Sequence, residues 1–282
     1  MGKVYHFIRN SRLKRIAKHI ISLPLWRKTK RCLEKAGHYI KYGTTDFFSE
    51  VSIETITACN RRCSYCPNSI FDRGLIKNKR ILETKIYHKI IDELSEIDYN
   101  GIICPSFYGE PLLDERLLQL IEYTRKKLPN AHIIIYTNGD FLTLPLYKKL
   151  VNAGVNEWII TQHSEEKNKN ILGILECQKV DPLAYTYYSK LKGISTRGGL
   201  IKAGKTILPE MCGLRNISQI VIDYGGNVVL CCQDYHSTVK FGNVKNEKLI
   251  DIWKKPAYKR IRRDINNGIF KVPICKRCIG KS

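Results

Sequence analysis

Three thiols, Cys59, Cys63 and Cys66, fall within the run TACNRRCSYCPNS at residues 57–69, and no fourth cysteine stands beside them. Cysteine thiolates are the ligands of iron-sulfur clusters and of zinc. A 4Fe-4S cluster presents four iron corners, each normally held by one thiolate. Three thiols therefore leave one corner open, and an open coordination site is what separates a catalytic metal centre from a closed structural one. A zinc knuckle tolerates the same spacing and is the rival reading. A second group, Cys212, Cys231, Cys275 and Cys278, supplies four thiols with no vacancy. It suits a closed 4Fe-4S cluster, with an all-cysteine zinc site as the alternative. Cys232 directly follows one of these ligands, while Cys32, Cys104 and Cys177 lie outside both groups and read as small apolar residues.

The elements that must position these thiols are legible from residue 51 onward as short apolar strands alternating with helical patterns, the signature of a parallel sheet with crossover helices. Strands are expected at 51–57, 101–108, 131–137 and 157–163. Between them, Thr84 caps a helix whose Ile86, Ile90, Leu94 and Ile97 share one face, a second helix runs from about Asp114 to Leu128, and a third follows Pro145 and ends before Gly154. In β/α barrels the loops at the C-terminal strand ends build the active site. Here those loops carry the cysteine triplet, then Gly109-Glu110-Pro111, then Asn138-Gly139-Asp140, then Gln162-His163. Arg61 and Arg62 are expected to point outward, and Pro67 to stiffen the loop's exit. Further on, SQIVIDY and VVLCC read as a hairpin turning at Gly226-Asn227, followed by a helix rich in Trp253, Tyr258, Arg260 and Arg263 that leads to PICKRC.

Composition bounds the class. The 282 residues are 43% hydrophobic, enough for a substantial core. No apolar run approaches the length of a membrane span, and the N-terminus lacks a secretory pattern, so the cytoplasm is the expected compartment. Net charge is +22, and the first 43 residues hold twelve Lys or Arg against the single acid Glu34. Segments 11–22 and 26–41 read as two basic amphipathic helices suited to peripheral contact with a membrane or to packing on the body of the protein. No recognisable nucleic-acid module accompanies the charge, and specific nucleic-acid binding is not expected. Three segments follow: a basic helical extension at 1–50, a barrel at 51–205 and an auxiliary-cluster domain at 206–282.

The triplet C-x3-C-x2-C after the first strand, with Tyr65 before its last cysteine, resembles the radical S-adenosylmethionine (SAM) superfamily. That resemblance implies a partial six-stranded (β/α) barrel. It also implies a cluster whose open iron is chelated by SAM, and cleavage of SAM to a 5'-deoxyadenosyl radical that takes a hydrogen atom from the substrate. Gly109-Glu110-Pro111 matches the family's GGEP element, with Tyr108 in place of the first glycine and Glu110 as acceptor for the SAM ammonium. Thr137 and Asn138 stand where ribose is contacted, and Gln162 and His163 sit at the barrel mouth. The pattern Cys212, Cys231, Gly242-Asn243, Trp253, Cys275-x2-Cys278 resembles the short "twitch" form of the SPASM domain, with cysteines for one auxiliary 4Fe-4S cluster. A flavodoxin- or ferredoxin-type reductant is implied.

The strings CSYCPNS, FYGEPLL, IIYTNGDFLT, IITQH and TRGGLI narrow the resemblance, over about residues 51–279, to a branch that oxidises a ring alcohol of an aminocyclitol to a ketone. By that likeness Arg197 lies near the reacting hydroxyl and Tyr136 lines the substrate pocket, with polarity read by Arg197, Gln233, Asp234 and His163. An arginine is a poor base, so hydroxyl orientation and oxyanion stabilisation are its expected roles. The chain departs from the branch at Cys232-Gln233-Asp234, where an amide replaces a carboxylate partner for a substrate amine. Cys232 opens an alternative, return of a hydrogen atom to the radical and hence epimerisation of a sugar or peptide. Peptide modification is a further alternative, and a zinc-stabilised basic binding protein is the non-enzymatic one.

Overall fold

The computed structural model describes residues 32–33, 36–37, 39–163, 168–177, 183–187, 194–202, 212–213 and 217–281. Contacts divide the chain into Met1–Phe47 and Phe48–Ser282. In the first unit, residues 39–42 are helical and the Tyr42 ring packs 5.0 Å from that of Phe47. The basic segment 11–22 and part of 26–41, with the membrane contact expected of them, lie outside the described residues. No helix among the described residues is long and apolar enough to cross a membrane.

The second unit is organised on one sheet of eight strands: β1 (Glu50–Ile53), β2 (Ile102–Cys104), β3 (His132–Thr137), β4 (Glu157–Gln162), β5 (Leu183–Tyr187), β6 (Gln219–Ile222), β7 (Asn227–Val229) and β8 (Lys240–Asn243). Their spatial order is β5-β4-β3-β2-β1-β6-β7-β8. β1 to β5 pair in parallel, each reached from the last through a helix: α1 (Thr84–Ser95), α2 (Leu117–Lys127), α3 (Leu144–Ala153) and α4 (Lys169–Cys177). This is the strand-helix alternation expected of the barrel. Consistent with a sheet covered on both faces, all four residues of β1 are buried. In α1 the inward stripe is Ile86, Tyr87, Ile90, Ile91 and Leu94.

Several local expectations need correction. The cap of α1 is Glu83 and Thr84 is its first helical residue. Ile97 lies past the helix end and is exposed. The second helix starts at Leu117, because the Asp114 carboxylate holds the preceding turn by accepting from the backbone N–H of Arg116 at 3.1 Å and from its guanidinium. β2 spans three residues rather than eight.

The largest difference concerns the C-terminal hairpin. β6 pairs in parallel with β1, from Glu50 opposite Gln219 to Ile53 opposite Ile222, so the hairpin continues the barrel's own sheet. Its turn is closed by Asp223, whose Oδ1 accepts from the N–H groups of Gly225 and Asn227 at 2.9 Å, and Gly226 adopts φ 83. Asn227, assigned to the turn from sequence, is the first residue of β7. β8 adds a third, antiparallel strand that the KFGN segment, lacking apolar alternation, did not announce. Beyond it come α5 (Leu249–Lys254), α6 (Pro256–Asn266) and α7 (Pro273–Cys278).

Candidate functional site

The cysteine loop leaves β1 and is closed by local bonds. The Cys66 N–H donates to the Cys63 carbonyl at 2.8 Å, the Cys59 N–H to the Gly74 carbonyl at 2.9 Å, and Ser69 Oγ to the Cys66 carbonyl at 2.8 Å. Pro67 opens a short 3-10 turn, Pro67–Ser69, at the exit. The three thiols are half-buried and line one open pocket of about 230 Å³. Burial pushes the Cys59 thiol up to about 12, so without a metal it stays protonated. Arg61 does not point outward as expected. Its Nε and Nη2 each lie 2.6 Å from the Asp140 carboxylate, which also accepts from Asn60 Nδ2 at 2.6 Å. This bidentate pair fastens the cysteine loop to the loop after β3. Asp140, in the Asn138-Gly139-Asp140 turn, was the one available signal.

Gly109-Glu110-Pro111 folds directly beneath this loop. A Cβ on Gly109 would lie 2.0 Å from the Ile56 carbonyl oxygen, so the turn can approach the strand only as glycine. The Glu110 N–H then donates to the Ala58 carbonyl at 2.7 Å. The Glu110 carboxylate accepts from Thr137 Oγ1 at 2.6 Å, the Asn138 N–H at 2.9 Å and the Leu112 N–H at 3.1 Å. Burial nevertheless pushes its pKa up to about 7. Glu110 thus both lines the pocket and braces two strand ends, a bracing role the sequence did not reveal. Tyr108, Tyr136, Thr137 and Asn138 line the pocket, whereas Gly109 and Pro111, expected among the cofactor-binding residues, do not line it and act by setting the turn that carries Glu110.

At the end of β4 the alternation of side chains decides which residues reach the site. Ile159, Thr161 and His163 line the pocket, while Trp158, Ile160 and Gln162 are buried on the other face. Gln162, expected among the cofactor-binding residues, therefore turns away, and Thr161 takes its place. His163 stacks obliquely on Tyr65, whose hydroxyl lies 3.0 Å from its Nδ1. Burial, helped by Arg61, lowers the His163 pKa.

Cys212, Cys231, Cys275 and Cys278 line a different cavity, of about 330 Å³, walled by Ile217, Leu230, Ile265, Phe270 and Ile274. Burial holds the Cys231 thiol well above its usual range and Cys275 at about 12. Cys231 faces this cavity, whereas Cys232, the next residue, faces the three-cysteine pocket. A single peptide step separates the two chambers. Arg197 stands on the pocket side at φ 50, in a turn whose next residues, Gly198 and Gly199, also have positive φ. A Cβ on Gly198 would meet Ile274 at 2.7 Å, and one on Gly199 would meet Arg277 at the same distance. The turn is thus pressed onto α7, the helix of Cys275 and Cys278. Arg277 Nε donates to the Gly198 carbonyl at 3.2 Å, and Arg197 Nε is buried with no hydrogen-bond partner among the described residues.

Tyr108 ties the chambers together: its hydroxyl donates to the Cys232 carbonyl at 3.0 Å, and its own carbonyl accepts from Asn68 Nδ2 at 3.0 Å. Two residues expected to read the substrate lie elsewhere. Gln233 accepts from Ser195 Oγ at 2.8 Å and faces the four-cysteine cavity. Asp234 is fully buried and caps its own loop, accepting from Thr238 and Val239. A wider basic cavity of about 700 Å³, lined by Arg73, Lys77, Lys79, Arg80 and Lys240, opens beyond Tyr235 and contains none of the thiols.

Residues 53–172 match the radical SAM superfamily, and residues 212–279 match SPASM, an iron-sulfur cluster-binding domain. The chain is 32% identical over 238 residues to the S-adenosyl-L-methionine-dependent 2-deoxy-scyllo-inosamine dehydrogenase of Niallia circulans, covering 82% of this chain and 92% of that one. The crystal structure of BtrN in complex with AdoMet and 2-DOIA superposes with a TM-score of 0.72 at 31% identity, over 82% of this chain and 93% of that one. Streptococcus suis SuiB bound to its precursor peptide SuiA shares the fold, with a TM-score of 0.51 at 12% identity over 86% and 72% of the two chains. The chain belongs to the radical SAM superfamily, as a member carrying a C-terminal SPASM domain. It is an oxidoreductase whose cofactors are SAM, the 4Fe-4S cluster such enzymes require, and an auxiliary iron-sulfur cluster. The donor sets fit these groups. Three thiols share a pocket with Arg61, Glu110, His163 and an Arg197 N–H that has no hydrogen-bond partner among the described residues, and four line an apolar cavity.

Proposed function

We propose that this enzyme oxidises a secondary alcohol of a sugar or aminocyclitol-like ring to a ketone. Cys59, Cys63 and Cys66 would hold the SAM-binding cluster, and Cys212, Cys231, Cys275 and Cys278 the auxiliary one. When bound, SAM and its cluster supply the 5'-deoxyadenosyl radical that takes a hydrogen atom, and the auxiliary cluster supplies a sink for the electron left on the substrate. The chain's own residues do the rest. Arg197 presents a buried N–H to the reacting hydroxyl, orienting it and stabilising the charge that develops as its proton leaves. Tyr136, Thr137 and Asn138 border the SAM and substrate volume, Tyr65 and His163 close one side of it, and Tyr108 fixes the partition to the second chamber.

The observation that carries this reading is the Cys231-Cys232 step, where consecutive side chains face the two chambers. An alcohol-derived radical on the pocket side would then lie close to an electron acceptor. Likeness to the dehydrogenase over nearly its whole length supports the same class of substrate. Its amine need not be shared, because Gln233 faces away from the pocket. The test is anaerobic turnover of candidate cyclitols with SAM. A product lighter by two hydrogens, formed one for one with 5'-deoxyadenosine, is expected. A product of unchanged mass carrying solvent deuterium would instead establish the second reading, epimerisation with Cys232 as hydrogen donor, which the placement of that thiol in the pocket favours. The proposed reductant is a flavodoxin- or ferredoxin-type carrier of the cytoplasm, for which Lys77, Lys79, Arg80 and Lys240, outnumbering Asp72 and Asp223 in the same cavity, offer a complementary face.

A further inference from the structure

Asn60, Asn138 and Asp140 close a ring of three hydrogen bonds beside the three-cysteine pocket, which Arg61 and Asn138 line. Asp140 Oδ2 accepts from Asn60 Nδ2 at 2.6 Å, Asn60 Oδ1 accepts from Asn138 Nδ2 at 2.9 Å, and Asn138 Oδ1 accepts from the Asp140 N–H at 2.9 Å. Arg61 completes the figure through its fork on the Asp140 carboxylate. The side chains of Arg61 and Asp140 are 27% and 22% exposed, too sheltered for the pair to be a screened surface contact.

Each side of the ring is closed without it. The cysteine loop has its own bonds, from Cys59 to Gly74 and from Cys66 to Cys63. In the turn after β3 the Gly139 N–H donates to Thr137 Oγ1 at 3.0 Å, and the Gly139 carbonyl accepts from Asn168 Nδ2 at 3.1 Å. What the ring adds is the register of one loop against the other. Glu110 links the loops on the Ala58 side of Cys59 and the ring links them on the Asn60 side, so Cys59 is bracketed. The Asn138 amide, pinned at both ends, is held with its nitrogen 4.0 Å from Cys59 Sγ.

We infer that Asp140 is a positioning residue for SAM: through Asn60 and Arg61 it sets the Asn138 side chain against the cysteine loop, so that both loops meet SAM in one fixed arrangement. The inference rests on the proposed SAM-binding cluster at Cys59, Cys63 and Cys66. A cofactor gripped by two loops at once binds tightly only if their spacing is set beforehand, since otherwise part of the binding free energy goes into ordering them. Charge enters as well, because SAM brings a sulfonium cation to a pocket that holds Arg61 and Arg197. Asp140 offsets the Arg61 charge, and a latch and a charge neutraliser make opposite forecasts for removal of Arg61.

The test titrates the reconstituted, reduced holoenzyme with SAM and follows the EPR signal of the SAM-site cluster in wild type, Asp140→Asn, Arg61→Gln and the double variant. A wild-type signal indifferent to SAM would remove the proposed SAM site itself, a failure distinct from that of Asp140. With a responsive wild type, the expected result is SAM affinity weakened about tenfold in each single variant, within the range of one hydrogen bond to a charged group. The double variant should be no weaker than either single one, because the two side chains act as a unit. Iron content should stay at the wild-type level, and 5'-deoxyadenosine formation should show a KM for SAM raised to match, with kcat within about twofold. Unchanged affinity in Asp140→Asn would overturn the inference. So would tighter binding in Arg61→Gln, which would leave charge alone as the pair's effect, or losses that add to about a hundredfold in the double variant. Loss of iron in Asp140→Asn would overturn it too, assigning the carboxylate to retention of the cluster.

Discussion

The two thiol chambers are built on opposite principles although one peptide divides them. The three-cysteine pocket is open, about 230 Å³, and bordered by Arg61, Glu110, His163 and Arg197 as well as by backbone ends of four strands. The four-cysteine cavity is about 330 Å³, walled by isoleucine, leucine and phenylalanine, with Arg262 its single described cation. The first is equipped to bind and orient a polar ligand, the second to hold a charged group away from it. The first chamber carries the charged and polar side chains that recognition of a ligand needs, and the second the apolar walls that keep solvent away.

Substitutions can break that contrast, and the largest effect belongs to the open chamber. Cys63→Ala should abolish conversion of SAM to 5'-deoxyadenosine and lower iron from about eight to about four per chain. A variant retaining full SAM cleavage would place the radical chemistry elsewhere. Next is Arg197→Gln, for which a loss of about 100-fold in ketone formation is expected, the usual scale for one oxyanion-stabilising donor, with SAM cleavage kept. The ratio of 5'-deoxyadenosine to ketone checks it, and a ratio unchanged from wild type would remove Arg197 from the reacting hydroxyl. Tyr108→Phe deletes one bond across the partition, worth about 1 kcal/mol. A loss of about fivefold in turnover is expected, with no change in iron content. Smallest is Cys232→Ala, expected to leave dehydrogenation within about twofold of wild type, the size of a surface-type change. Abolished turnover there would favour the epimerase.

The contrast was partly visible in sequence, because thiol spacing and strand-end loops are local properties. Cys59, Cys63 and Cys66 follow one strand, and short apolar runs between helical patterns located β3 and β4. What escaped depends on contacts distant in sequence. The Arg61–Asp140 pair spans 79 residues, and the pairing of β6 with β1 spans 169. Gln162 was assigned to the pocket beside His163, yet the alternation of side chains along β4 turns it the other way. Arg262 was not singled out beside Arg260 and Arg263, although its spacing from Tyr258 and Ile265 places it on the buried face.

The central claim, one open chamber and one closed, is tested most directly by EPR of the reduced protein with both clusters installed, recorded before and after addition of SAM. The expected result is that SAM alters the signal of one cluster and leaves the other untouched. The responsive signal should vanish in Cys63→Ala, and the silent one should vanish in Cys275→Ala. Signals that both respond to SAM, or that both ignore it, would contradict the division.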